Sequence, residues 1–397
     1  MPALETMRVL DFTQWEAGPT CSQYLAWLGA DVVKLESPGG DPGRGALATD
    51  DTDSQYFCNH NGNKRSIVLD LKTDDGADLL RRLLPRFDVV VENQGPGVIE
   101  RLGFGPDQLH AVNPRLIVAR IKGFGLSGPY AHYKSFDPLA MAASGVTAMT
   151  GTTESGPLSP GGTFADTGTG IHGAFAIAAA YVEQQRTGRG QVIELSMHEV
   201  MTMFTRTLST MAWGPDAEPV APRGDGIAPS GRWACRGGGH ADHVLVTIAT
   251  PALYAAFCRA VGRPELIDDE RFATPRARLE HGAEMRELLE PWFAERTKHE
   301  AWTELAEAGV PAAATLDTTE VFNDPHLRAR DFFTTVDHPT KGELLLMRQP
   351  FRMSDGDVPL TAAPLVGEHT RQVLADELGL ANDEIDELIE RGAVHDG

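Results

Sequence analysis

The first 200 residues alternate short apolar runs with longer segments that have a helical pattern. Strands are predicted at residues 8–13, 30–36, 88–93, 114–125 and 191–197, and helices at 19–29, near 76–87 and after Asp166. The predicted strands are apolar throughout, which is typical of strands buried on both faces. The pattern therefore predicts an α/β fold with a mostly parallel sheet covered by helices on both sides.

The pattern changes after residue 199. Residues 200–225 contain many prolines and glycines, 232–249 have the pattern of a hairpin, and a helix is predicted at 251–262. Residues 318–397 return to helices, which we expect to pack on the first sheet. We therefore predict a large domain formed by 1–199 and 318–397, a smaller α+β domain at 226–295, and linkers at 200–225 and 296–317.

The charge of the chain limits its partners. The 397 residues include 35 basic and 56 acidic side chains, so the net charge is 35 − 56 = −21. A field of this sign repels nucleic acids and anionic membranes, and we expect neither as a partner. Cys21, Cys58, Cys235 and Cys258 form no CxxC pair, which argues against structural zinc and a disulfide framework. Because no signal peptide or membrane-length apolar run is apparent, we expect a cytoplasmic protein.

The turn after the first strand, TQWEAGPTC, bears on dinucleotide binding. A dinucleotide fold needs glycines in GxGxxG spacing, so that the backbone can approach pyrophosphate, and this turn has only Gly18. The sequence also lacks a GxxxxGK[ST] string. A nicotinamide or flavin dinucleotide is therefore disfavoured, and so is a P-loop nucleotide site.

Three other stretches combine a strand end or helix start with charged side chains. They are NGNKRSIVLDLKT at 61–73, ENQGPGVIERLGF at 92–104 and YKSFDPLA at 133–140. Open α/β sheets bind ligands at such positions, although each stretch alone is more typical of a turn with solvated charges. Together, in an acidic protein, they indicate a ligand that carries phosphates and an adenine.

These stretches, with others in the same order along the chain, resemble the class III coenzyme A transferases. That family includes formyl-CoA transferase, carnitine CoA-transferase and the α-methylacyl-CoA racemases. The resemblance covers nearly the whole chain and is weakest in the middle domain. The strings that carry it are VLDFTQWEAGPTCSQYLAWLGADVVKLE, NKRSIVLDLKT, VENQGPGVIERLGF, NPRLIVARIKGFG, TGRGQVIELSM and APLVGEHT.

The resemblance implies a Rossmann-like large domain built from both chain ends, a small domain, and a homodimer whose chains interlock like rings. It also implies that coenzyme A or acyl-CoA binds as a substrate, with no permanently bound cofactor and no metal. The CoA contacts carried over by position are Glu16, Ala17, Leu69, Asp70, Leu71, Lys72, Asn93, Gln94, Gly95, Arg101, Lys134, Ser135, Phe136 and Asp137.

Asp166 stands in GTFADTGTG, directly ahead of a long helix of small residues. On its own such an aspartate is typical of a helix cap. The resemblance instead places Asp166 at the catalytic aspartate of the family, and Glu16 where it either bonds the intermediate or caps the next helix. Free N–H groups at the helix start are expected to stabilise a developing oxyanion, and Gly168 and Gly170 to allow close backbone approach.

The reaction that the resemblance implies moves CoA from an acyl-CoA to a carboxylic acid. A carboxylate nucleophile conserves the thioester energy, because it forms first a mixed anhydride and then an aspartyl-CoA thioester. Two alternatives remain. A 2-methylacyl-CoA racemase would need a histidine at Phe136, since racemases have GHD where this chain has SFD. The second alternative is a protein that binds acyl-CoA without catalysing a reaction.

Departures from formyl-CoA transferase indicate a different substrate. That enzyme has glutamine at the position of Glu16, arginine at Ser37 and tryptophan at Ala46, and its glycine loop in the small domain is longer. Loss of the tryptophan predicts an acyl group bulkier than formyl. A small dicarboxylic acid is a further hypothesis, because Arg232 or Arg44 could meet a second carboxylate.

Overall fold

Strands and helices alternate along most of the computed structural model, which describes residues 1–48, 53–220, 222, 224 and 226–396. The strands are β1 Arg8–Phe12, β2 Asp31–Glu36, β3 Lys64–Leu69, β4 Val89–Glu92, β5 Ile117–Lys122, β6 Gly151–Thr152, β7 Gly156–Pro157, β8 Val192–Ser196, β9 Gly231–Ala234, β10 His243–Val246, β11 Ala312–Ala314, β12 Phe333–His338, β13 Gly342–Met347 and β14 Val394–His395.

The α-helices lie between these strands. They are α1 Ala17–Trp27, α2 Gln55–Asn61, α3 Asp74–Leu83, α4 Val98–Arg101, α5 Pro106–Val112, α6 Asp137–Ala143, α7 Phe164–Thr187, α8 Met197–Phe204, α9 Arg206–Ser209, α10 Pro251–Ala260, α11 Pro275–Glu280, α12 Gly282–Ala294, α13 Lys298–Glu307, α14 Thr318–Asn323, α15 Pro325–Ala329, α16 Thr370–Leu378 and α17 Asn382–Glu390.

The chain divides into two units. The first comprises Met1–Met149, Leu158–Val220 and Asp331–Gly397, and the second comprises Thr150–Pro157 and Ala221–Arg330. A seven-stranded sheet forms the centre of the first unit, in the order β14-β3-β2-β1-β4-β5-β8. Every neighbouring pair from β3 to β8 is parallel. This order is that of a Rossmann-like sheet, and it confirms the predicted α/β fold with a mostly parallel sheet.

Both faces of this sheet are buried, as its continuous apolar strands predict. On β4, Val89 and Val91 contribute to the core beneath α1 and α7, whereas Val90 contributes to the core beneath α3 and α16. The C-terminal segment completes the second of these cores with Val373 and Val394. Because β14 also pairs antiparallel with β3, the sheet contains strands from both ends of the chain.

Close packing of α7 on α1 depends on two glycines. A Cβ atom at Gly170 would lie 2.8 Å from Thr20 Cβ, and one at Gly173 would lie 2.8 Å from Cys21 Sγ. Side chains at these positions would hold the helices apart. The small residues of α7 therefore bring the beginning of α7, with Asp166, towards the beginning of α1, with Glu16.

The second unit contains the predicted hairpin, formed by β9 and β10. Its extent differs from the prediction, because it continues to Arg330 rather than ending at 295. The predicted linker 296–317 contains α13 and β11, and β11 pairs with β10. A strand made of alanines has little β-propensity, which is why its sequence resembles a linker. The predicted linker 200–225 contains the second part of α8 and all of α9, and its residues 221, 223 and 225 lie outside the described part.

Candidate active site

The carboxyl ends of β1 and β4 enclose a crevice in the first unit. Gln14 N donates to Asn93 Oδ1 over 2.9 Å, and Asn93 Nδ2 donates to Gln14 O over 2.7 Å. These reciprocal hydrogen bonds join the two turns that follow the strands. The strand order reverses between β1 and β4, which is where open α/β sheets bind ligands.

Two cavities open at this crevice and share Gln14 and Gln94 in their linings. The first has a volume of about 170 Å³ and is lined in part by Leu69, Asp70, Leu71 and Lys72. The second has a volume of about 250 Å³, and its lining includes Ala17, Asn93, Gly95, Lys134, Ser135, Phe136 and Asp166. The structure thus brings together most of the residues that the sequence assigns to CoA binding, and it places Asp166 among them.

The turn between β1 and α1 is held in an unusual conformation. Trp15 has a φ of 66°, and its N–H donates to Asp41 Oδ1 over 3.1 Å. The buried Lys34 ammonium donates to Thr13 O over 2.9 Å and forms an ion pair with Asp41 Oδ2 at 2.7 Å. A Cβ atom at Gly18 would lie 2.4 Å from Thr13 Cβ. The single glycine of this turn therefore serves close packing within the protein.

The loop that follows β4 is supported by a buried lysine. Lys122 Nζ donates to Glu92 Oε2 over 2.6 Å and to the carbonyl oxygen of Gln94 over 2.5 Å. Arg120 links Glu92 to Glu100 on α4. These ion pairs fix the segment that contributes Asn93, Gln94 and Gly95 to the cavities.

Asp166 lies in the first turn of α7 but does not cap that helix. The cap is Asp137, whose Oδ1 accepts the N–H groups of Ala165 at 2.7 Å and of Asp166 at 3.1 Å. Asp137 is buried and is absent from the lining of both cavities, unlike its predicted role in CoA binding. Since Asp137 satisfies the helix terminus, the carboxyl group of Asp166 is left to face the second cavity.

The expected oxyanion donors at the start of α7 are already in use. Asp137 accepts the N–H groups of Ala165 and Asp166, and Thr167 N donates to Thr163 O over 3.0 Å. These amides therefore do not provide the free donors that the sequence suggested. The physical reason is that a second aspartate, from α6, occupies the helix terminus.

Glu16 lies beside Asp166 and is only 3% exposed. The hydroxyl group of Thr167 donates to Glu16 Oε1 over 3.0 Å, and the hydroxyl groups of Thr163 and Tyr56 also bond this carboxylate. By contrast, no donor contacts the Asp166 carboxylate among the residues that the structure describes. Of the two carboxylates, only that of Glu16 therefore receives hydrogen bonds from the described residues.

Burial raises the pKa of all three acids of this cluster, and like charge adds to the rise at Asp166 and Glu16. Desolvation, followed by the charges of Glu16 and Asp137, raises the pKa of Asp166 from 3.8 to about 8. Desolvation is also the main cause that raises the pKa of Glu16 and that of Asp137. Of the three, Asp166 is the one that lines a cavity, and a carboxyl group with so perturbed a pKa at a cavity is typical of a functional site.

Other predicted residues lie outside this arrangement. Arg101 is exposed on α4 and lines neither cavity. The guanidinium group of Arg44 is bound by Glu36 at 2.6 Å and by Asp53 at 2.6 Å, so it is not available for a second carboxylate of a substrate. Ala46 lines neither cavity, whereas Ser37 lines the first one.

Several residues around the site were not found from the sequence. Gln14 and Trp15 adjoin Glu16, and Lys122 lies near the end of the strand predicted at 114–125, so their positions alone were a usable signal. Tyr56 and His60 on α2 gave no such signal, because about 40 residues separate them from Glu16 and only the tertiary fold joins them. Within the described residues, no group of histidine, cysteine, aspartate and glutamate side chains could hold a metal ion, and no helix is long and apolar enough to cross a membrane.

Comparisons with known proteins give one family and several relatives for the chain. The family model described as CoA-transferase family III matches residues 4–370. The formyl-CoA:oxalate CoA-transferase of Streptomyces avermitilis is 42% identical, over 99% of this chain and 99% of its own length. The protein of the same name from a Bradyrhizobium species is 37% identical, over 99% of this chain and 97% of its own.

Two solved structures are similar to this chain over most of its length. A crystal structure of a CAIB/BAIF family protein from Brucella suis matches with a TM-score of 0.81 and 31% identity, and covers 94% of this chain and 99% of that one. A hypothetical protein from Mycobacterium tuberculosis matches with a TM-score of 0.82 and 30% identity, over 94% of this chain and 99% of that one.

Proposed function

The chain belongs to CoA-transferase family III, and we propose that it transfers coenzyme A from an acyl-CoA thioester to a carboxylic acid through Asp166. The main support for this proposal is the environment of the Asp166 carboxyl group. It lines a cavity, no described donor binds it, and another aspartate caps its helix. A carboxylate in this setting is poorly solvated and thus a strong nucleophile once it is ionised.

We place CoA along the two cavities. The first cavity is lined by apolar residues such as Leu35, Leu69 and Leu102, which suit the adenine, and by Lys72, which suits a phosphate. The second is lined by the exposed Lys134 and by Asp166, so it suits the pantetheine arm and the thioester. Arg101 remains a proposed contact for the adenosine end.

The proposed reaction begins when an Asp166 oxygen attacks the thioester carbonyl. The carbon–sulfur bond breaks, and a mixed anhydride and CoA thiolate result. The thiolate then attacks the aspartyl carbonyl, which releases the first acid and leaves an aspartyl-CoA thioester. The acceptor carboxylate attacks the aspartyl carbonyl of this thioester, the carbon–sulfur bond breaks, and a second mixed anhydride and CoA thiolate result. The thiolate then attacks the acceptor's carbonyl carbon in that anhydride, and the bond from this carbon to the Asp166 oxygen breaks. The new acyl-CoA leaves, and Asp166 is regenerated.

Racemisation is disfavoured by the second cavity. Racemases need a base on each side of the α carbon, but the lining residue at the relevant position is Phe136, which accepts no proton. Incubation with a 2-methylacyl-CoA in deuterium oxide should therefore introduce no label at the α carbon. A purely binding function is disfavoured by the high pKa and the unbonded carboxyl group of Asp166.

We also propose the interlocked homodimer. Ile171, Phe175 and Val182, spaced four and seven residues apart, are 40%, 76% and 59% exposed on one side of α7. A second chain would bury this apolar row. Sedimentation should give a dimer, and Phe175→Glu should shift it towards the monomer.

The proposed function is tested by a transfer assay. The protein is mixed with an acyl-CoA donor and candidate acids, first formyl-CoA with oxalate because of the names of the relatives, and new acyl-CoA is detected by mass spectrometry. Asp166→Ala should abolish transfer while CoA binding persists. Glu183→Gln, which removes an exposed charge from the same helix, is the matched control and should leave transfer unchanged. Turnover of Asp166→Ala within a few-fold of the parent would refute the proposal.

A further inference from the structure

Trp15 carries a large aromatic side chain on a backbone conformation that favours glycine. Its φ of 66° lies in the left-handed region, where a bulky residue is rare because its Cβ atom crowds the backbone. Such strained conformations persist when surrounding contacts hold them, and they cluster at functional sites. Since glycine would adopt the same φ without strain, the conformation indicates a function for the tryptophan ring.

Contacts from two directions fix the backbone at Trp15. Its own N–H donates to Asp41 Oδ1 over 3.1 Å, and the Asp41 carboxylate forms an ion pair with the buried Lys34 ammonium of β2 at 2.7 Å. On the other side, the preceding N–H, that of Gln14, donates to Asn93 Oδ1 over 2.9 Å, in the loop that follows β4. The fold therefore holds the turn that carries the Trp15 ring in one conformation.

The Trp15 ring lies beside a second aromatic ring in the cavity at Asp166. Trp15, Phe136 and Asp166 all line the second cavity. The two rings meet edge to face, with centroids 6.1 Å apart and planes at 90°. We call this pair the aromatic wall. The apolar side chains of Ile121 and Met197 belong to the same lining. Burial is also the largest cause that raises the pKa of Asp166 to about 8, which indicates that water has little access to its carboxyl group.

Each covalent intermediate of the proposed reaction has a carbonyl group that water could attack. Water that attacks the carbonyl carbon of the aspartyl-CoA thioester breaks its carbon–sulfur bond, and the Asp166 carboxylic acid and CoA thiol result. Water that attacks the mixed anhydride breaks one of its carbon–oxygen bonds and gives two carboxylic acids, one of which is Asp166. Either reaction restores Asp166 but loses the thioester energy. Transfer therefore needs a site that excludes water while the intermediates exist.

We propose that Trp15 is a specificity-determining residue, whose ring, in contact with Phe136, excludes water from the acylated and CoA-linked forms of Asp166. A carboxylic acid, and not water, is then the acceptor. The inference rests on the proposed function, because it concerns intermediates formed on Asp166. Trp15 fulfils the requirements for this role, since it is apolar, lines the cavity at the nucleophile and stands on a turn that the fold holds in place.

The experiment measures how each protein divides its turnover between hydrolysis and transfer. It uses the donor and acid that react fastest in the transfer assay, with formyl-CoA and oxalate tried first, and the acid is kept at a saturating concentration. New acyl-CoA reports transfer, and accumulated CoA thiol reports hydrolysis, because transfer releases no net CoA. The rate found with Asp166→Ala is subtracted as background. Both reactions use the same intermediates, so a loss of folded protein leaves their ratio unchanged.

Two substitutions of Trp15 form a matched pair. Trp15→Gly removes the ring and adds no backbone strain, because glycine adopts a φ of 66° freely. This variant should raise the ratio of hydrolysis to transfer by about tenfold or more, because water gains access to the intermediates. Trp15→Phe keeps an aromatic ring at the same position and should stay within about threefold of the native ratio.

Phe136→Ala covers the possibility that Trp15→Gly folds poorly. Phe136 is 54% exposed, so its truncation leaves the buried core intact, and it removes the other ring of the aromatic wall. The ratio should rise in the same direction. Trp15→Gly decides where it folds, and Phe136→Ala decides where it does not. A native ratio in the deciding variant would overturn the inference and leave the proposed function intact. Absence of transfer by the native protein to every acid tested would instead refute the proposed function, and the inference with it.

Discussion

The acidic cluster predicts that Glu16 controls the ionisation of the nucleophile. Burial, Glu16 and Asp137, in decreasing order, raise the pKa of Asp166 from 3.8 to about 8. Since Glu16 is the second of these three contributions, it supplies at most half of the rise, or about two pH units. Replacement of Glu16 by glutamine should therefore lower the pKa of Asp166 by about one pH unit, and by no more than about two.

The consequence is large near neutral pH. With a pKa of about 8, only about a tenth of the Asp166 carboxyl groups are ionised at pH 7, and after a fall of about one pH unit the fraction is about one half. The assay is the pH dependence of kcat/KM for the native protein and for Glu16→Gln, because this constant reports the free enzyme. Its acidic limb should move to lower pH, while the value at the alkaline plateau should fall modestly, since a weaker base is a weaker nucleophile.

The other titratable groups that face Glu16 and Asp166 do not alter the interpretation of this measurement. His60 is neutral above a pKa of about 4, burial raises the pKa of Tyr56 far above the assay range, and Asp137 is present in both proteins. Glu183→Gln controls for a change in net charge. A midpoint that stays in place or rises in Glu16→Gln would refute the proposed coupling between the two acids.

Three further substitutions test how the site is built. Asp137→Ala should reduce stability by about 1 kcal/mol in urea unfolding because α7 loses its cap, and should lower the pH midpoint of kcat/KM because a neighbouring charge is lost. Gly170→Ala should cost about 1–3 kcal/mol and reduce kcat, because its Cβ atom would lie 2.8 Å from Thr20 Cβ and would separate the two helices that carry the acids. Lys64→Met should cost about 3–5 kcal/mol, measured by urea unfolding, because it leaves Asp11 buried without its ammonium partner at 2.9 Å.

Much of the large unit follows from the sequence because its strands are short, continuously apolar and separated by helices. Val89, Val90 and Val91, for example, supply both faces of one strand, which only a doubly covered sheet requires. The boundaries of the second unit do not follow, because β11 consists of three alanines and depends on pairing with β10 for its conformation.

The candidate site is predictable only where neighbouring residues share one turn. Asn93 to Gly95 and Leu69 to Lys72 line the cavities because each group follows a strand, and strand ends meet at one edge of the sheet. The roles of Asp137 and Asp166 could not be separated from the sequence, since either aspartate suits a helix terminus. The tertiary structure decides, because the beginning of α6 places the Asp137 carboxylate where it accepts the N–H groups of Ala165 and Asp166.

The hypothesis of an acyl group larger than formyl stays a prediction. It depends on Ala46, which lines neither cavity. A comparison of formyl-CoA with thioesters of four or more carbons should give the higher kcat/KM for the longer group, and equal or better turnover of formyl-CoA would contradict it.

The central claim is that Asp166 carries the acyl group and then CoA in covalent form. Both intermediates are activated carbonyls, so hydroxylamine added during turnover should convert this side chain to a hydroxamate. Peptide mapping by mass spectrometry should locate the modification at Asp166 only when an acyl-CoA is present, and should find none in Asp166→Ala. A protein that turns over at its full rate in the presence of hydroxylamine, with Asp166 unmodified, would contradict the account.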